Sequence, residues 1–163
     1  MTKSYLELRE ETRARDRSLR DKVMTLEEAA KVVKDGDHVA IGGCTLSRTP
    51  MAMVWALIRA GRKDLTVSRS ITSTEGDLFY GSGVSKHIMT SWFSQGIVWG
   101  VSKVMRHYTE THQAVFEEWS HMALGLRYRA GAMGVPFMPT RTMLASDVGA
   151  RIDQTKEMSC PFT

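Results

Sequence analysis

The sequence predicts an α/β fold in which helices flank an open, mainly parallel sheet. Short apolar segments of strand length alternate with segments that have the periodicity of amphipathic helices. Glycine or proline stands at several of the boundaries between these segments. The chain has 163 residues, of which 42% are hydrophobic and 25% charged. It therefore fits one globular domain with a sizeable core, and we expect no global disorder.

Residues 1–22 are predicted to form a charged helical arm ahead of the main domain, residues 23–163. Basic and acidic side chains alternate along this arm, and mixed signs at helical spacing are typical of a solvated helix face. No aromatic side chain that could stack on bases lies between its arginines. Although the net charge is +4, we therefore expect no nucleic-acid partner.

The first helix and strand of the main domain lead into a glycine turn. Thr25 is a good N-cap and has a glutamate three residues on, which is a capping-box pattern and predicts a helix over 25–34. The short apolar segment 38–41 ends in Gly42 and Gly43. A segment of this kind predicts a buried parallel strand that enters a tight turn.

Further helix and strand segments follow this turn. Pro50 in the first turn and Gly61 just past the end predict a helix over 51–60. The later elements are predicted as strands over 64–68, 86–91 and 114–118, a short helix around 77–80, a helix capped by Ser120 over 120–133, and packed but irregular connections over 92–114. Strands that alternate with helices in this way indicate βαβ units and a parallel sheet.

Cysteine usage and apolar runs indicate a cytoplasmic protein. Cys44 and Cys160 are far apart and neither has a second cysteine or histidine at metal spacing beside it, which favours a reducing compartment and no zinc site. The N-terminus has no apolar segment typical of a signal peptide. The longest apolar run, 51–58, is too short to cross a bilayer. We therefore expect neither a disulfide framework nor a membrane partner.

The segment 35–50 carries the functional prediction. It combines a strand, a double-glycine turn, a polar loop and a helix entered through Pro50. Glycine lets a ligand approach the backbone closely, and free N–H groups beside a helix N-terminus favour an anionic or carbonyl oxygen. Taken alone, this arrangement occurs in many α/β proteins, and a purely structural turn explains it equally well.

The order of residues in this segment resembles the alpha-subunit signature of family I CoA-transferases. The matching positions are Asp35, Gly36, Val39, Ala40, Ile41, Gly42, Gly43 and Pro50. Cys44 stands where the family has phenylalanine. Arg48 stands where it has a later glycine, which is similar to the glutaconate CoA-transferase branch. The resemblance continues through 22–26, 64–66 and 131–139 and covers roughly residues 22–163.

The resemblance implies the open CoA-transferase (NagB/RpiA-like) fold and a hetero-oligomer of alpha and beta subunits. It also implies acyl-CoA and carboxylate substrates, with no permanently bound cofactor. In that family a glutamate attacks the acyl-CoA thioester, and in glutaconate-type enzymes this glutamate lies on the beta subunit. Thr74-Glu75-Gly76 is a weak echo of the beta-type sequence around it. We therefore expect Glu75 not to be the nucleophile.

Eight residues are candidates for the site. Seven are substrate- or CoA-binding candidates, and they are Gly42, Gly43, Cys44, Thr45, Arg48, Ser70 and Ser73. An arginine pairs well with a carboxylate or a CoA phosphate. The hydroxyl groups follow a strand, where open parallel sheets bind ligands. No histidine is placed by the sequence to activate Cys44 as a nucleophile, and it is expected to be a small buried residue.

Glu118 is the one catalytic candidate within this chain. It lies between a predicted strand and the cap of the next helix, so it is placed either as an acid or base at the site or as a carboxylate favoured by the helix dipole. No metal site is expected at His107 and His112, since nothing supplies a further ligand. His121 follows a helix cap and is expected to be structural.

Three functions remain open from the sequence. The first is CoA transfer with the nucleophilic glutamate on the partner. The second is hydrolysis, ring opening or decarboxylation of an acyl-CoA by a subunit of the same fold that uses Glu118. The third is a non-catalytic scaffold subunit, because similar chains continue well beyond the equivalent of Thr163 and this one is expected to be truncated. A truncated sheet is expected to expose an apolar edge.

Overall fold

The structure is a computed structural model that describes residues 4–153 and 155–161. Its helices are α1 Tyr5–Ala14, α2 Leu26–Val32, α3 Met51–Arg59, α4 Thr74–Ser82, α5 Lys103–Glu110, α6 His121–Met133 and α7 Asp147–Ala150. Its strands are β1 His38–Ala40, β2 Leu65–Ser68, β3 Ser85–Thr90 and β4 Val115–Glu118. The four strands form one sheet in the order β1-β2-β3-β4. Every pair in it is parallel, which confirms the predicted fold class.

Successive residues of each strand face opposite sides of the sheet, and helices cover the two sides unequally. Val67 and Ile88 are fully buried in the larger core, which α2, α3, α4 and α5 help to form. Met89, the next residue on β3, belongs to a smaller core with Trp119 and Leu124. Helix α6 therefore packs on the face opposite to α3, α4 and α5.

The predicted helix signals are confirmed by cap geometry. Thr25 and Glu28 form a complete capping box at the start of α2. Ser120 accepts a hydrogen bond from the Ala123 amide at 3.1 Å at the start of α6. Gly134 ends α6 in the left-handed region at φ 66°, and Gly61 follows α3 at φ 64°. Each signal acts on backbone groups within a few residues, which is why the sequence reveals it.

The predicted boundaries differ most from the structure in three places. The helix expected around 77–80 begins at Thr74 and ends at Ser82. The segment 92–114, expected to be irregular, contains α5, which Ser102 caps by accepting hydrogen bonds from two amides. Within the described part of the charged arm, residues 4–22, the helix covers Tyr5–Ala14 alone, and α1 has no buried residue. Propensity and charge pattern do not show where tertiary packing stops supporting a helix.

In the part of the chain that the structure describes, no helix is long and apolar enough to cross a membrane.

Candidate functional site

The carboxyl ends of the four parallel strands meet at one edge of the sheet. Because all strands run in the same direction, the residues that follow them collect there. Gly42 and Gly43 come after β1, Ser70 after β2 and Ser91 after β3, and Glu118 is the last residue of β4. This edge therefore holds the predicted site residues from both halves of the chain.

The turn after β1 has an unusual backbone. Gly43 has φ 109°, a conformation that side chains rarely adopt, and Thr45 and Arg48 have φ 46° and 57°. Within the loop, Cys44 and Ser47 exchange two backbone hydrogen bonds of 2.8 and 2.9 Å. A β-branched residue such as Thr45 in the left-handed region is strained. The surrounding structure therefore has to hold this loop in place.

Arg69 fixes the loop after β1 from its buried side. Its guanidinium donates to the Thr45 carbonyl oxygen at 3.0 Å and to the Thr49 hydroxyl at 3.1 Å, and it forms a buried ion pair with Glu75. The side chains of both partners are 1% exposed. A buried, hydrogen-bonded ion pair of this kind is strongly destabilising to break. It links the loop after β1 to the start of α4.

Ser73 joins the same network. Its hydroxyl lies 2.9 Å from the Thr45 carbonyl oxygen and 3.2 Å from Oε2 of Glu75, and its amide donates to Oε1 of Glu75 at 3.0 Å. Both Glu75 oxygens therefore have protein partners. With its side chain buried, Glu75 supports the loop and is not presented to a ligand.

The open side of the turn presents backbone amides. Gly42 and Gly43 are both exposed, and no acceptor among the described residues takes a hydrogen bond from either amide. On its other side, Gly43 is so close to Arg69 that an added Cβ would lie 2.6 Å from the guanidinium and 2.7 Å from the Arg48 carbonyl oxygen. Two neighbouring N–H groups in an exposed turn, without an acceptor in the described part of the chain, can stabilise an oxyanion or a carbonyl oxygen.

The profile of the coenzyme A transferase family matches residues 23–159. The chain belongs to that family. The A subunit of glutaconate CoA-transferase from Acidaminococcus fermentans is 33% identical over 138 residues, which are 84% of this chain and 43% of that protein. The crystal structure of that enzyme superimposes with a TM-score of 0.74 at 34% identity, covering 80% of this chain and 41% of the other.

Two further proteins are similar to this chain. The A subunit of 3-oxoadipate CoA-transferase from Pseudomonas knackmussii is 34% identical over 145 residues, 86% of this chain and 51% of that protein. The crystal structure of a variant of the decarboxylase AibA/AibB has a TM-score of 0.77 at 26% identity, with 86% of this chain and 54% of the other covered. The chain thus spans about two fifths to half of the length of these relatives.

The structure brings most of the predicted site residues of this CoA-transferase family chain together. Thr45 and Ser73 are in direct contact, and Gly43 lies against Arg69 in the same network. Arg48 is exposed, and its side chain makes no hydrogen bond or ion pair with the residues that the structure describes. Ser70 is separate from that network. Its carbonyl oxygen accepts hydrogen bonds from the Thr90 hydroxyl and the Ser91 amide at the end of β3.

The expectation that Cys44 is buried is wrong. Its thiol is free and the residue is exposed, because the loop after Gly43 turns outward and forms its own two-bond turn instead of packing on the sheet. The expectation rests on the lack of a histidine placed by the sequence to activate the thiol, which bears on reactivity and not on burial. Exposure leaves Cys44 on the open side of the candidate site.

Arg69 is a site residue that sequence reasoning missed. The sequence prediction names the hydroxyl residues Ser70 and Ser73 after β2 and omits the arginine that precedes them. A charged residue directly after a buried strand, with a glutamate six positions later, was the available signal. A buried arginine needs a carboxylate partner. The sequence therefore allows the prediction that Arg69 and Glu75 form a buried ion pair that supports the site.

A second polar cluster lies on the α6 face of the sheet. Glu117 on β4 accepts hydrogen bonds from Trp119 at 2.6 Å and from Arg127 at 3.1 Å, and its other oxygen is 2.7 Å from Nε2 of His87. The Arg127 guanidinium also stacks over the Trp119 ring at 4.3 Å. These contacts fasten α6 to β3 and β4.

A shallow cavity of about 280 Å³ lies beside this cluster. It is lined by His38, Ser68, Met89, Leu124, Arg127, Tyr128 and Gly131. None of the eight predicted site residues lines it, and we assign it no role. Among the described residues, no group of three or more His, Cys, Asp or Glu side chains is arranged to hold a metal ion.

Acidification is expected to weaken the cluster around Glu117. Burial tends to raise the pKa of Glu117, but hydrogen bonds from Trp119 and His87 and the charges of His87 and Arg127 outweigh it, and the pKa lies below the usual 4.5. A carboxyl whose pKa is depressed by folding stabilises the fold above its unfolded value, and this contribution is lost as the pH falls through the folded pKa.

We therefore expect Glu117→Gln to lose less stability than wild type as the pH is lowered from 5 to 3. Urea unfolding at each pH measures the difference. Glu110→Gln, which changes a carboxylate outside the cluster, serves as the matched control and should follow the wild-type curve. Parallel curves for wild type and Glu117→Gln would show that the cluster carries no net electrostatic stabilisation.

Proposed function

We propose that this chain is an alpha-type subunit of a heteromeric CoA-transferase that moves CoA from an acyl-CoA to a carboxylic acid, dicarboxylic acids included. The observation that carries the proposal is the turn after β1, where the Gly42 and Gly43 amides have no acceptor among the described residues and Arg69 fixes the loop from the buried side. Matches to the A subunits of two CoA-transferases support it.

In this proposal the turn binds the thioester. The amides of Gly42 and Gly43 donate to the thioester carbonyl oxygen, which gains negative charge when a nucleophile attacks the carbonyl carbon. Donors that are already in place at that position lower the barrier because they need no reorganisation. The exposed guanidinium of Arg48 pairs with a substrate carboxylate or a CoA phosphate, for which its planar fork is suited.

The nucleophile is proposed to come from the partner subunit. Glu75, the glutamate nearest to the turn in the network, is buried and has both oxygens engaged. A glutamate of the beta subunit would attack the thioester carbon and expel the CoA thiolate, which leaves a mixed anhydride. The thiolate then attacks the glutamyl carbonyl and releases the acyl carboxylate. The second acid takes up the CoA by the same two steps in reverse.

Reconstitution with a beta-type subunit encoded by a neighbouring gene tests this proposal. The assembled complex is expected to transfer CoA from acetyl-CoA or glutaconyl-CoA to at least one acid in a broad panel of mono- and dicarboxylates. Chromatography of the CoA thioesters measures the transfer. Thioester exchange in the complex, but in neither chain by itself, supports the proposal. Release of free CoA without any new thioester, or no reaction with the whole panel, contradicts it.

A second candidate function is acyl-CoA hydrolysis, ring opening or decarboxylation. The exposed Glu118 at the end of β4 favours it, as does the similarity to the decarboxylase AibA/AibB. Glu118→Gln in the reconstituted complex separates the two. Under the first proposal the variant keeps its transfer activity, whereas under the second a general acid or base is removed and the rate falls by about 10²–10⁴-fold. A complex that assembles and binds CoA but catalyses neither reaction would point to the scaffold function.

The reaction is proposed to take place in the cytoplasm. The Cys44 thiol is exposed and not part of a disulfide, which is the usual state of a cysteine in a reducing compartment.

A further inference from the structure

A hydrogen-bonded chain connects the ends of β2, β3 and β4 at the edge that carries the candidate site. The Ser91 hydroxyl contacts both the Ser70 carbonyl oxygen and Nδ1 of His121. The Ser91 amide also donates to the Ser70 carbonyl oxygen at 3.2 Å. His121 is the first residue of α6 and directly follows its cap, Ser120.

Counting protons along this chain assigns the tautomer of His121. A carbonyl oxygen only accepts, and a serine hydroxyl has one proton to donate. The Ser91 hydroxyl therefore donates to the Ser70 carbonyl and must accept a hydrogen bond from Nδ1–H of His121. In the neutral imidazole the other ring nitrogen, Nε2, is then unprotonated and carries a free lone pair. The tautomer is assigned from the hydrogen-bond network, since the carbonyl oxygen of Ser70 has no proton to donate.

Nε2 of His121 is available to a ligand. The residue is exposed at the carboxyl edge of the sheet, and Nε2 has no hydrogen-bond partner among the described residues. A histidine with one ring nitrogen hydrogen-bonded to a second group can use the other for a ligand, as metal-binding histidines do. The expectation that His121 is purely structural therefore leaves half of its ring unexplained.

The position of His121 decides which part of a substrate it can reach. Gly42 and Gly43 follow β1 and His121 follows β4, three strand spacings away, or roughly 14 Å at about 4.8 Å per spacing. One atom of a ligand cannot contact both. An extended ligand whose thioester rests on the turn can reach His121 with a group farther along its length.

We propose that Nε2 of His121 accepts a hydrogen bond from the pantetheine arm of a CoA thioester, beyond the amide nearest to the sulfur. This inference rests on the proposed function and adds a positioning residue to it. The arm offers amide N–H and hydroxyl donors, which suit a lone pair held by the Nδ1–H tautomer. Ser91 contributes by fixing that tautomer.

The tautomer is tested on the full chain alone by nitrogen-15 NMR of its histidines. His121 is expected to show the Nδ1–H pattern in wild type and in Ser91→Thr, which keeps the hydroxyl. In Ser91→Ala it should lose that pattern, because nothing then holds the Nδ1 proton. If His121 carries its proton on Nε2 in wild type, the tautomer assignment is overturned, independently of the activity of the assembled complex.

The contact is tested in the assembled complex with His121→Asn. Asparagine places its amide nitrogen near the position of Nδ1, so it can still donate to Ser91, but it has nothing at Nε2. The KM for acetyl-CoA should rise roughly 3- to 10-fold, the worth of one hydrogen bond, with kcat nearly unchanged. S-acetyl-N-acetylcysteamine lacks the outer part of the arm, and its kinetics should not change.

The outcomes distinguish this inference from the proposed function. Equal losses with both thioesters, or no loss with either, would overturn the contact to the arm while leaving CoA transfer intact. If wild type turns over neither thioester, acetyl-CoA titrated into the complex and into His121→Asn gives the affinities directly, and equal affinities overturn the contact. Absence of any binding overturns the contact and counts against the proposed function, and the tautomer measurement stands independently.

Discussion

Replacing Arg69 by methionine is expected to lower the free energy of unfolding by about 3–5 kcal/mol, as when one partner of a buried ion pair is removed. Methionine fills much of the arginine's volume but leaves the Glu75 carboxylate buried without a counter-ion, at a side chain that is 1% exposed. The Thr45 carbonyl and Thr49 hydroxyl also lose a donor. The urea midpoint measures the loss.

Two variants make the Arg69 result specific. Arg13 forms an exposed ion pair with Glu10, with the arginine side chain 58% exposed, and Arg13→Ala is expected to change stability by less than about 1 kcal/mol. The double variant Arg69→Met with Glu75→Gln should be more stable than Arg69→Met alone, since no buried charge then remains. If Arg69→Met costs no more than Arg13→Ala, the buried pair is not what holds the loop.

The second large effect is expected from alanine at Gly43. With φ at 109°, the backbone strain alone costs roughly 1–3 kcal/mol. The new Cβ would also lie 2.6 Å from the Arg69 guanidinium and 2.7 Å from a backbone oxygen, so the loop has to move. A displacement of about 1 Å in a positioned site can reduce the rate 10²-fold. Unfolding and kcat/KM of the assembled complex measure both effects.

Gly42 is the matched control for Gly43. An added Cβ at Gly42 meets no atom within 4 Å, so Gly42→Ala should change stability by less than about 0.5 kcal/mol. If a thioester rests on this turn, the same methyl group should displace it from the amide donors and reduce kcat by about 10²-fold, as does loss of an oxyanion donor. A stable Gly42→Ala variant with full activity would show that no substrate approaches the turn.

The fold could be predicted well from the sequence because its signals are local. The strands β2, β3 and β4 were placed to within one or two residues, since each is a short apolar run between turn residues. The sequence prediction omits α5 and its cap Ser102 although their signal is local, since Met105 and Tyr108, three residues apart, both pack on the core. The helix has only eight residues and lies between irregular loops, where so short an apolar face is easily overlooked.

The candidate site could be predicted only in part. The double glycine at 42–43 was recognised because the turn needs it at Gly43, where φ is positive. The sequence does not predict the hydrogen bond between Ser91 and His121, because it joins residues 30 positions apart that the parallel pairing of β3 and β4 brings together. It does not predict the exposure of Cys44 either, because that depends on the turn that Cys44 forms with Ser47.

The sequence by itself determined the α/β class, the caps of α2 and α6 and the family of this protein, because capping, periodicity and a contiguous signature each lie within a short stretch of chain. Only the tertiary structure decided that Arg69 and Glu75 are a buried strut, that Cys44 is exposed, and that His121 is held through one ring nitrogen with the other left open. These properties arise from burial and from the parallel register, which join residues that the sequence keeps apart.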